Sequence, residues 1–393
     1  MASQRNSDIV IIGGGIVGSA LAYYLSSSDD GKKVTLIDRS FSRLTGSTGY
    51  APGFVGQFNE SSVLTRLAIE SVAEYSKVPG GFDLVGGLEV ATSNAGVDNL
   101  KWRLETAKER GLKGELISPE RAAEMAPDLV KEDNASGLYF PGDGTANPAT
   151  ITAFFQSEAR TRDVELLEAD VTEIRRDDGR VNGVMTSAGL VQAQTVVLAT
   201  GIWANNLCDF DIPVPVIPVA HPYMYGKQHD PKPYKSPFVR YPEHYVYARD
   251  HGQFFGLGSY DHKPMAEKPE GAAVGNWVAE FDATLNRALQ LIPEKTNLVP
   301  REKFNGIFSM TPDNMPLVGK VPAAEGLYMA AAVWVTHAAG SAKFLTQMMK
   351  GETVDATVQK ALDPIRFMGR DMGSLQRESL QCYNSIYSTH ESS

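Results

Sequence analysis

The feature that most restricts the fold lies within the first 38 residues, where a strand, a glycine-rich turn, a helix and a second strand follow one another closely. The apolar run Ile9–Ile12 leads into Gly13-Gly14-Gly15-Ile16-Val17-Gly18, and a second β-branched run ends at Asp38, whose carboxylate can accept hydrogen bonds from a ribose. An ordinary glycine-rich turn between a strand and a helix is the alternative. Because all the parts stand in order, the pattern favours a dinucleotide-binding βαβ unit.

Each spaced glycine of this turn has a separate physical role. Gly13 permits the tight turn, Gly15 lets the backbone approach a pyrophosphate, and Gly18 permits close packing of the helix on the strand. The helix that begins at Ile16 and Val17 offers its N–H groups and the positive end of its dipole to the phosphates. We therefore expect the cofactor's pyrophosphate at this turn.

Chain length and composition indicate the class of protein. At 393 residues, with 42% hydrophobic and 21% charged residues, the chain is expected to form a globular protein of two domains. The net charge of −10 argues against nucleic acid and anionic membranes as partners. Only Cys208 and Cys382 are present, no metal-ligand spacing is evident, and, because the first strand is expected from Ile9, we expect no targeting peptide in residues 1–8. We expect a cytoplasmic protein without a metal site or a membrane span.

The periodicity of apolar residues predicts an α/β plus α+β fold. A buried strand that runs into Ala199-Thr200-Gly201 suits a backbone that passes closely over a flat ligand. Residues 1–85, 141–212 and 302–393 are assigned to a cofactor domain, and residues 86–140 and 213–301 to a mostly antiparallel substrate domain. The expected elements are helices at residues 60–78, 100–110, 149–160 and 341–349, three strands within residues 164–197, and short strands at residues 88–92, 245–249 and 254–260.

Motifs along essentially the whole chain resemble one family. Besides the opening glycine unit they are Thr45-Gly-Ser-Thr-Gly-Tyr-Ala-Pro-Gly53, Gly86-Gly-Leu-Glu-Val-Ala-Thr92, Pro141-Gly-Asp-Gly144, Gly201-Ile-Trp-Ala204, Gly258-Ser-Tyr260, Phe304-Asn-Gly-Ile-Phe-Ser-Met-Thr-Pro-Asp313 and Ala332-Val-Trp-Val-Thr-His337. Together they resemble the FAD-dependent amine oxidoreductases of the D-amino-acid oxidase superfamily. The resemblance is strongest to dimethylglycine and sarcosine dehydrogenases and 4-methylaminobutanoate oxidase.

The resemblance implies both a fold and a chemistry. In this family FAD lies extended against the first βαβ unit of a Rossmann-like domain, and a helix N-terminus, mapped here to the helix after Gly340, stabilises the reduced ring. The substrate is a secondary or tertiary amine that loses a hydride equivalent from the carbon next to nitrogen. The imine then hydrolyses, giving formaldehyde from an N-methyl group, and O2 or another electron acceptor reoxidises the flavin.

Two departures from the family pattern affect these expectations. By its flanking residues, the histidine that attaches flavin covalently in relatives falls on Tyr50, and the cysteine used in monomeric sarcosine oxidases falls on Gly306. Since neither nucleophile is present, we expect noncovalent FAD. Relatives with a folate domain continue past a segment like the one that begins at Cys382, whereas this sequence ends at Ser393. We therefore expect any formaldehyde to be released to solvent.

Three residues are candidates for catalysis: His221, Tyr247 and His337. An imidazole and a phenol could orient the amine or tune its protonation, because hydride loss needs a free lone pair on nitrogen. Structural roles in a tyrosine-rich sheet are the alternative. The candidate substrate contacts are Tyr223, Tyr247 and Trp334. The candidate FAD contacts, mapped from the family, are Gly13, Gly15, Ile16, Val17, Gly18, Asp38, Arg39, Ser47, Thr48, Tyr50, Val171, Thr200, Gly201, Trp203, Gly306, Trp334, Val335, Thr336 and His337.

Other polar residues of the substrate region have weaker assignments. Arg240 and Arg249 could pair with a substrate carboxylate, although a solvated face explains them equally well. Four further histidines are expected at the surface or in loops, namely His229, His244, His251 and His262.

Alternative functions remain open at this stage. One is a natural-product tailoring oxidase whose imine is captured intramolecularly, and another is a noncatalytic flavin-binding subunit. An NAD(P)-dependent dehydrogenase is disfavoured, because the motifs at residues 199–201 and 326–340 are accounted for by a long FAD. The sequence does not identify the amine, the physiological electron acceptor or the oligomeric state.

Overall fold

The computed structural model describes residues 5–27, 31–208, 210–268 and 274–386, which form a mixed α/β structure. The strands are β1 (Arg5–Asn6), β2 (Ile9–Ile12), β3 (Val34–Asp38), β4 (Phe54–Val55), β5 (Phe82–Asp83), β6 (Gly87–Ala91), β7 (Glu115–Ile117), β8 (Ser136–Phe140), β9 (Gly144–Ala146), β10 (Glu165–Glu168), β11 (Val171–Asp177), β12 (Arg180–Thr186), β13 (Gly189–Gln192), β14 (Thr195–Leu198), β15 (Ile217–Gln228), β16 (Phe238–Tyr241), β17 (Val246–Asp250), β18 (Phe254–Ser259), β19 (Pro300–Met310), β20 (Leu317–Lys320) and β21 (Leu327–Ala331).

The α-helices are α1 (Ile16–Leu25), α2 (Ser47–Tyr50), α3 (Ser62–Tyr75), α4 (Asn94–Glu109), α5 (Pro119–Met125), α6 (Pro148–Arg160), α7 (Phe281–Leu289), α8 (Ala338–Met349), α9 (Ala356–Leu362) and α10 (Met372–Gln381). Short 3-10 helices include Gly201–Leu207 and Val335–His337. Within the described part of the chain, no helix combines the length and the apolar character needed to cross a bilayer.

A six-stranded sheet in the order β10-β3-β2-β14-β21-β20 forms the cofactor side of the molecule. Its strands pair in parallel except for β20, which runs antiparallel to β21. All four residues of β2 are buried. Helices α1, α6 and α8 pack together over one face, while a smaller sheet of β1, β11, β12 and β13 shares a hydrophobic core with the other face. This double coverage explains why the strands are continuous apolar runs.

The predicted βαβ unit is confirmed, and its position creates a crevice. The chain passes from β2 through α1 to β3 on one side, while β14 pairs with the other side of β2. The connections therefore diverge at the carboxyl ends of β2 and β14, where open α/β sheets bind ligands. The turn requires glycine there: Gly13 has φ +109°, and a Cβ would lie 2.3 Å from the carbonyl oxygen of Ala199.

An eight-stranded sheet in the order β19-β15-β18-β17-β16-β6-β8-β7 faces this crevice. Within this sheet, among its described residues, only β6 and β16 pair in parallel, so the mostly antiparallel character expected of the substrate side is confirmed. Strand β19 pairs with β15 along nearly its whole length, and the expected domain boundary at residue 302 falls inside it. The division of the chain into two domains stays a prediction.

Three sequence-based assignments of elements were wrong. Residues 164–198 form five strands, not three; β11, whose residues are mostly polar and exposed, pairs antiparallel with β12, which has four buried residues. Helix α4 begins at Asn94 and not at residue 100, since the Ser93 side chain caps it by accepting the Gly96 N–H at 3.1 Å. Helix α8 begins at Ala338 and not at residue 341. Helices α7, α9 and α10 were not anticipated.

Candidate active site

A cavity of about 450 Å³ lies between the carboxyl ends of the six-stranded sheet and the facing eight-stranded sheet. The loops after β2, β3, β14 and β21 line it, together with side chains from β15, β17 and β19. Most of the residues selected from the sequence therefore meet around one space. Those that line it are Gly13, Gly15, Ile16, Val17, Asp38, Arg39, Ser47, Thr48, Tyr50, Val171, Thr200, Gly201, Trp203, His221, Tyr247, Gly306, Trp334, Val335 and Thr336.

Three candidates stand outside the cavity lining. Gly18 serves helix packing, because a Cβ there would lie 1.8 Å from the carbonyl oxygen of Gly13. Tyr223 stacks behind Tyr247, with ring centroids 5.7 Å apart. His337 is 5% exposed, and burial lowers its pKa to about 3, so its ring is neutral. Direct contact of these three residues with cofactor or substrate stays a prediction that the cavity lining does not support.

The acid at the end of β3 is held by the backbone of the turn it faces. Asp38 accepts hydrogen bonds from Gly14 N–H at 2.6 Å and from Ser40 N–H at 3.0 Å. A carboxylate has about four lone-pair sites, so acceptor capacity remains for a ribose hydroxyl. Next to it, the Arg39 guanidinium lies 4.3 Å from the centroid of the Trp203 ring. This end of the cavity is therefore lined by the Asp38 carboxylate on one side and, on the other, by the Trp203 ring with the Arg39 guanidinium over it.

The lining at the glycine turn fits an extended dinucleotide. A Cβ at Gly15 would meet only the Thr48 hydroxyl, at 3.1 Å, so the backbone is open to a close ligand. Gly15 is the N-cap of α1 and carries no side chain to satisfy the first N–H groups of the helix. Among the described residues, the buried Thr200 hydroxyl has no hydrogen-bond partner. A polar group of a bound cofactor would satisfy it.

The expected start of the helix after Gly340 needs correction, while its role toward the flavin stays a prediction. Gly340 lies inside α8, its N–H donates to the Ser71 hydroxyl at 2.9 Å, and a Cβ would lie 2.4 Å from the carbonyl oxygen of Leu67. Glycine is needed there for close packing of α8 on α3. The cavity is instead reached by Val335 and Thr336 in the preceding 3-10 helix.

The positions of the two covalent anchors known in relatives lie side by side. Tyr50 and Gly306 both line the cavity, and a Cβ at Gly306 would lie 3.8 Å from the Tyr50 carbonyl oxygen. Both cysteines of the chain are outside the lining; Cys382, for example, donates to the Pro312 carbonyl at 3.0 Å. The described lining therefore contains no thiol.

The polar centre of the cavity wall is a histidine and a tyrosine in direct contact. His221 on β15 and Tyr247 on β17 are each 3% exposed, and the Tyr247 hydroxyl hydrogen-bonds His221 Nε2. On the other side, His221 Nδ1 lies 2.6 Å from the Tyr383 hydroxyl. Burial, followed by the nearby His262, holds the pKa of His221 well below its ordinary value. His221 is therefore a neutral imidazole that can accept a proton.

Aromatic rings surround this polar pair. The Phe54 ring stands edge-on to Tyr247 with centroids 4.6 Å apart, and Phe308 stands edge-on to His221 at 4.8 Å. Phe308 in turn contacts Trp334 at 5.6 Å. Phe54, Phe308 and Trp334 all line the cavity. Such a wall excludes water and can hold an organic cation against ring faces.

Neither arginine proposed as a carboxylate anchor reaches the cavity lining. Arg240 is buried and pairs with Glu89 at 2.9 Å, while Arg249 Nη1 donates to the Pro52 carbonyl at 2.7 Å. The basic residues of the described lining are Arg39 and Arg43, both in the loop after β3. The residues outside the described ranges include neither Lys nor Arg.

Sequence reasoning missed the residues that support His221. The Asn305 side-chain oxygen accepts the backbone N–H of His221 at 2.8 Å, and Tyr383 lies 162 positions from His221 in the chain, so no local spacing indicated either contact. His251 and His262 were expected at the surface or in loops. Both do lie in loops that flank β18 and are partly exposed, but their side chains also contact buried tyrosines: His251 Nε2 lies 2.9 Å from the Tyr223 hydroxyl, and His262 Nε2 lies 2.9 Å from the Tyr383 hydroxyl. In the described ranges, no group of His, Cys, Asp or Glu side chains could hold a metal ion.

The crevice lies at a switch point of the parallel sheet, which is where such sheets bind dinucleotides. The antiparallel sheet that covers it contributes aromatic and imidazole side chains to the cavity wall. Together these features define a dinucleotide-binding protein whose substrate would bind between the cofactor crevice and the antiparallel sheet. Residues 8–348 match the family model described as FAD dependent oxidoreductase. The chain belongs to this family, which confirms the resemblance drawn from the motifs, and FAD is the cofactor.

Known proteins similar to this chain include enzymes of amine oxidation. Human mitochondrial dimethylglycine dehydrogenase is 29% identical over 93% of this chain and 45% of its own length. The 4-methylaminobutanoate oxidase (formaldehyde-forming) of Paenarthrobacter nicotinovorans is 26% identical over 97% of this chain and 48% of its own length. The crystal structure of L-proline dehydrogenase from P. horikoshii has a TM-score of 0.80 and 25% identity, covering 93% of this chain and 98% of that one. This chain spans less than half the length of the two curated relatives.

Proposed function

We propose that this chain oxidises a secondary or tertiary amine, with an N-methyl amine as the preferred class, to an imine that hydrolyses to an amine and an aldehyde. The aldehyde is formaldehyde where the oxidised carbon is N-methyl, and O2 is the proposed acceptor. The observation that carries the proposal is the His221 and Tyr247 pair in the wall of the cavity that also contains the glycine turn. Bound FAD supplies the acceptor for the hydride equivalent.

The polar pair provides what amine oxidation needs from the protein. An alkylamine with a pKa near that of lysine, about 10.4, is protonated in neutral water and has no free lone pair. The Tyr247 hydroxyl, hydrogen-bonded to the neutral His221, offers a place for that proton inside the cavity. The rings of Phe54, Phe308 and Trp334 hold the alkyl groups of the amine and keep water out.

The charge distribution supports a particular substrate class within this proposal. Arg240 is paired to Glu89 and Arg249 is bonded to backbone carbonyls, and neither guanidinium is part of the described cavity lining that contains His221 and Tyr247. Aromatic faces attract an ammonium group but do not bind a carboxylate. We propose that the amine is recognised through its nitrogen and its apolar groups, without an ion pair to a carboxylate.

The test is a panel of amines scored by anaerobic bleaching of bound FAD, followed by mass analysis of products. Each N-methyl amino acid is paired with the N-methylalkylamine that lacks its carboxylate. We expect bleaching with N-methyl amines, stronger with the alkylamine of each pair, and formaldehyde among the products. A cyclised product without formaldehyde would favour the tailoring oxidase, and absence of bleaching with every amine would favour a noncatalytic flavin-binding subunit.

The flavin is expected to be held without a covalent bond. When the yellow holoprotein is precipitated with acid, the flavin absorbance should remain in the supernatant and the pellet should be colourless, because Tyr50 and Gly306 stand at the anchor positions. A yellow pellet contradicts this prediction. The variant Tyr50→His restores an imidazole at the first anchor position. Flavin retained in its acid pellet would place residue 50 against the edge of the flavin ring.

A further inference from the structure

Four side chains form one continuous hydrogen-bonded chain from the cavity wall outward. The Tyr247 hydroxyl bonds His221 Nε2, His221 Nδ1 lies 2.6 Å from the Tyr383 hydroxyl, and that hydroxyl lies 2.9 Å from His262 Nε2. The last nitrogen of the series, His262 Nδ1, lies 2.9 Å from the Lys263 carbonyl oxygen. These residues come from β17, β15, the 3-10 helix Cys382–Ser385 and the segment after β18.

The donor and acceptor roles along this hydrogen-bonded series follow from its end at His262, the end farthest from the cavity. A carbonyl can only accept, so His262 Nδ1 carries a hydrogen, and in the neutral ring Nε2 is then the acceptor. Tyr383 must therefore donate to His262, which leaves its oxygen to accept from His221 Nδ1–H. His221 Nε2 is then the acceptor for the Tyr247 hydroxyl. All four bonds point the same way, from the cavity toward His262.

The two ends of the hydrogen-bonded series, Tyr247 and His262, differ in burial. Tyr247 and His221 are each 3% exposed and Tyr383 is fully buried, whereas His262 is partly exposed. A charge resting on His221 would carry a large desolvation cost. At the partly exposed His262, burial and the Arg287 guanidinium lower the pKa below its ordinary value, while the Lys263 carbonyl and the Asp261 carboxylate raise it, and solvent is within reach. The desolvation cost of a positive charge is therefore smaller there than at His221, whose pKa burial holds well below its ordinary value. A proton that enters at Tyr247 is therefore more stable at the outer end.

We propose that Tyr383 and His262 complete a proton relay that carries the proton of the substrate ammonium from Tyr247 through His221 to the protein surface. The relay rests on the proposed amine oxidation. The ammonium proton moves to the Tyr247 oxygen as the Tyr247 proton moves to His221 Nε2. The His221 Nδ1 proton moves to Tyr383, and the Tyr383 proton moves to His262 Nε2. The net result is a neutral amine in the cavity and an imidazolium at His262, which releases a proton to water.

The hydrogen-bond chain can be tested without substrate by nitrogen-15 NMR of imidazole-labelled holoprotein. Wild type should show His221 and His262 protonated at Nδ1 and bare at Nε2, the less common tautomer. In Tyr383→Phe, which keeps the ring but removes the shared oxygen, this preference should be lost at His221, whereas His262 should keep its Nδ1 proton because the Lys263 carbonyl still accepts it. A wild-type His221 that carries its proton on Nε2 would overturn the relay.

The transfer itself is tested by anaerobic stopped-flow mixing with an amine that bleaches the flavin, using an indicator dye to follow proton release. Tyr383→Phe and His262→Gln should slow bleaching and proton release about tenfold or more below the pKa of the amine, and recover as pH rises. Matched controls are Tyr245→Phe and His244→Gln at exposed positions, which should behave as wild type.

The outcomes of this experiment separate the two proposals. Bleaching at the wild-type rate and with the wild-type pH profile in both relay variants would refute the relay while supporting amine oxidation. No bleaching of wild-type FAD by any amine would refute the proposed function and the relay with it. A loss of rate that is equal at every pH would indicate a structural role of Tyr383 and would also overturn the relay.

Discussion

Tyr247→Phe is expected to lower the rate of anaerobic flavin reduction about 100-fold at pH 7, within the range for loss of a general base. The ring packing against Phe54 and Tyr223 is kept, since only the hydroxyl is removed. Without that hydroxyl, His221 loses its partner on the cavity side and the ammonium proton has no acceptor. Stopped-flow absorbance at the flavin band measures the rate directly.

The pH dependence identifies the cause of this loss. As pH rises toward the pKa of the amine, about 10 for a simple alkylamine, free amine enters the cavity without help, so the variant should approach the wild-type rate. Tyr225→Phe is the control, because Tyr225 lies in the same sheet outside the cavity lining. An unchanged rate at pH 7 would remove Tyr247 from the mechanism. A deficit that persists at high pH would point to altered substrate placement.

Glu89→Gln is expected to lower the free energy of unfolding by about 3–5 kcal/mol, the usual cost of breaking a buried ion pair on one side. Glu89 on β6 is 3% exposed and bonds Arg103 on α4 at 2.5 and 2.8 Å and Arg240 on β16 at 2.9 Å. A neutral amide removes the carboxylate that both guanidinium groups share in the interior and leaves Arg103 with the more distant Glu60 carboxylate at 3.9 Å. Urea unfolding of the holoprotein gives the difference.

The same variant has a defined behaviour in acid. Burial alone would raise the pKa of Glu89, but Arg103 and Arg240 outweigh it and hold the pKa below its ordinary value of 4.5. The stabilisation is therefore complete above pH 4.5 and is lost as pH falls through the lower folded pKa, so wild type should lose more stability in acid than Glu89→Gln. Glu105→Gln, on an exposed part of α4, should change stability by less than about 0.5 kcal/mol. A loss below about 1 kcal/mol for Glu89→Gln would contradict the prediction.

Much of the cofactor side could be read from local patterns. The spacing of Gly13, Gly15 and Gly18 between two buried strands specifies a βαβ unit, since the backbone around Gly13 and Gly18 excludes a side chain and Gly15 leaves the turn open to a ligand. The loops after β3 and β14 were recognised from motifs at Tyr50 and Thr200, and both residues line the cavity. Here sequence neighbours are also spatial neighbours, so local reasoning was sufficient.

Other parts of the fold could not be read this way. A helix was expected to begin after Gly340, but Gly340 lies inside α8 and packs against the backbone of α3, far away in the chain. His337 follows two lining residues, yet its side chain is turned into the interior. A motif indicates that a segment approaches the site, whereas packing decides which of its side chains face the cavity.

By itself, the sequence determined the dinucleotide turn, the family resemblance and the absence of a histidine or cysteine at the two anchor positions, because these depend on residue identity at short spacing. Only the tertiary structure decided that one hydrogen-bonded series joins Tyr247, His221, Tyr383 and His262. The same holds for the ion pair between Arg240 and Glu89. These contacts join residues far apart in the chain. The pairing of β15 with its neighbouring strands and the packing of the segment after α10 bring them together. No local pattern records such a choice.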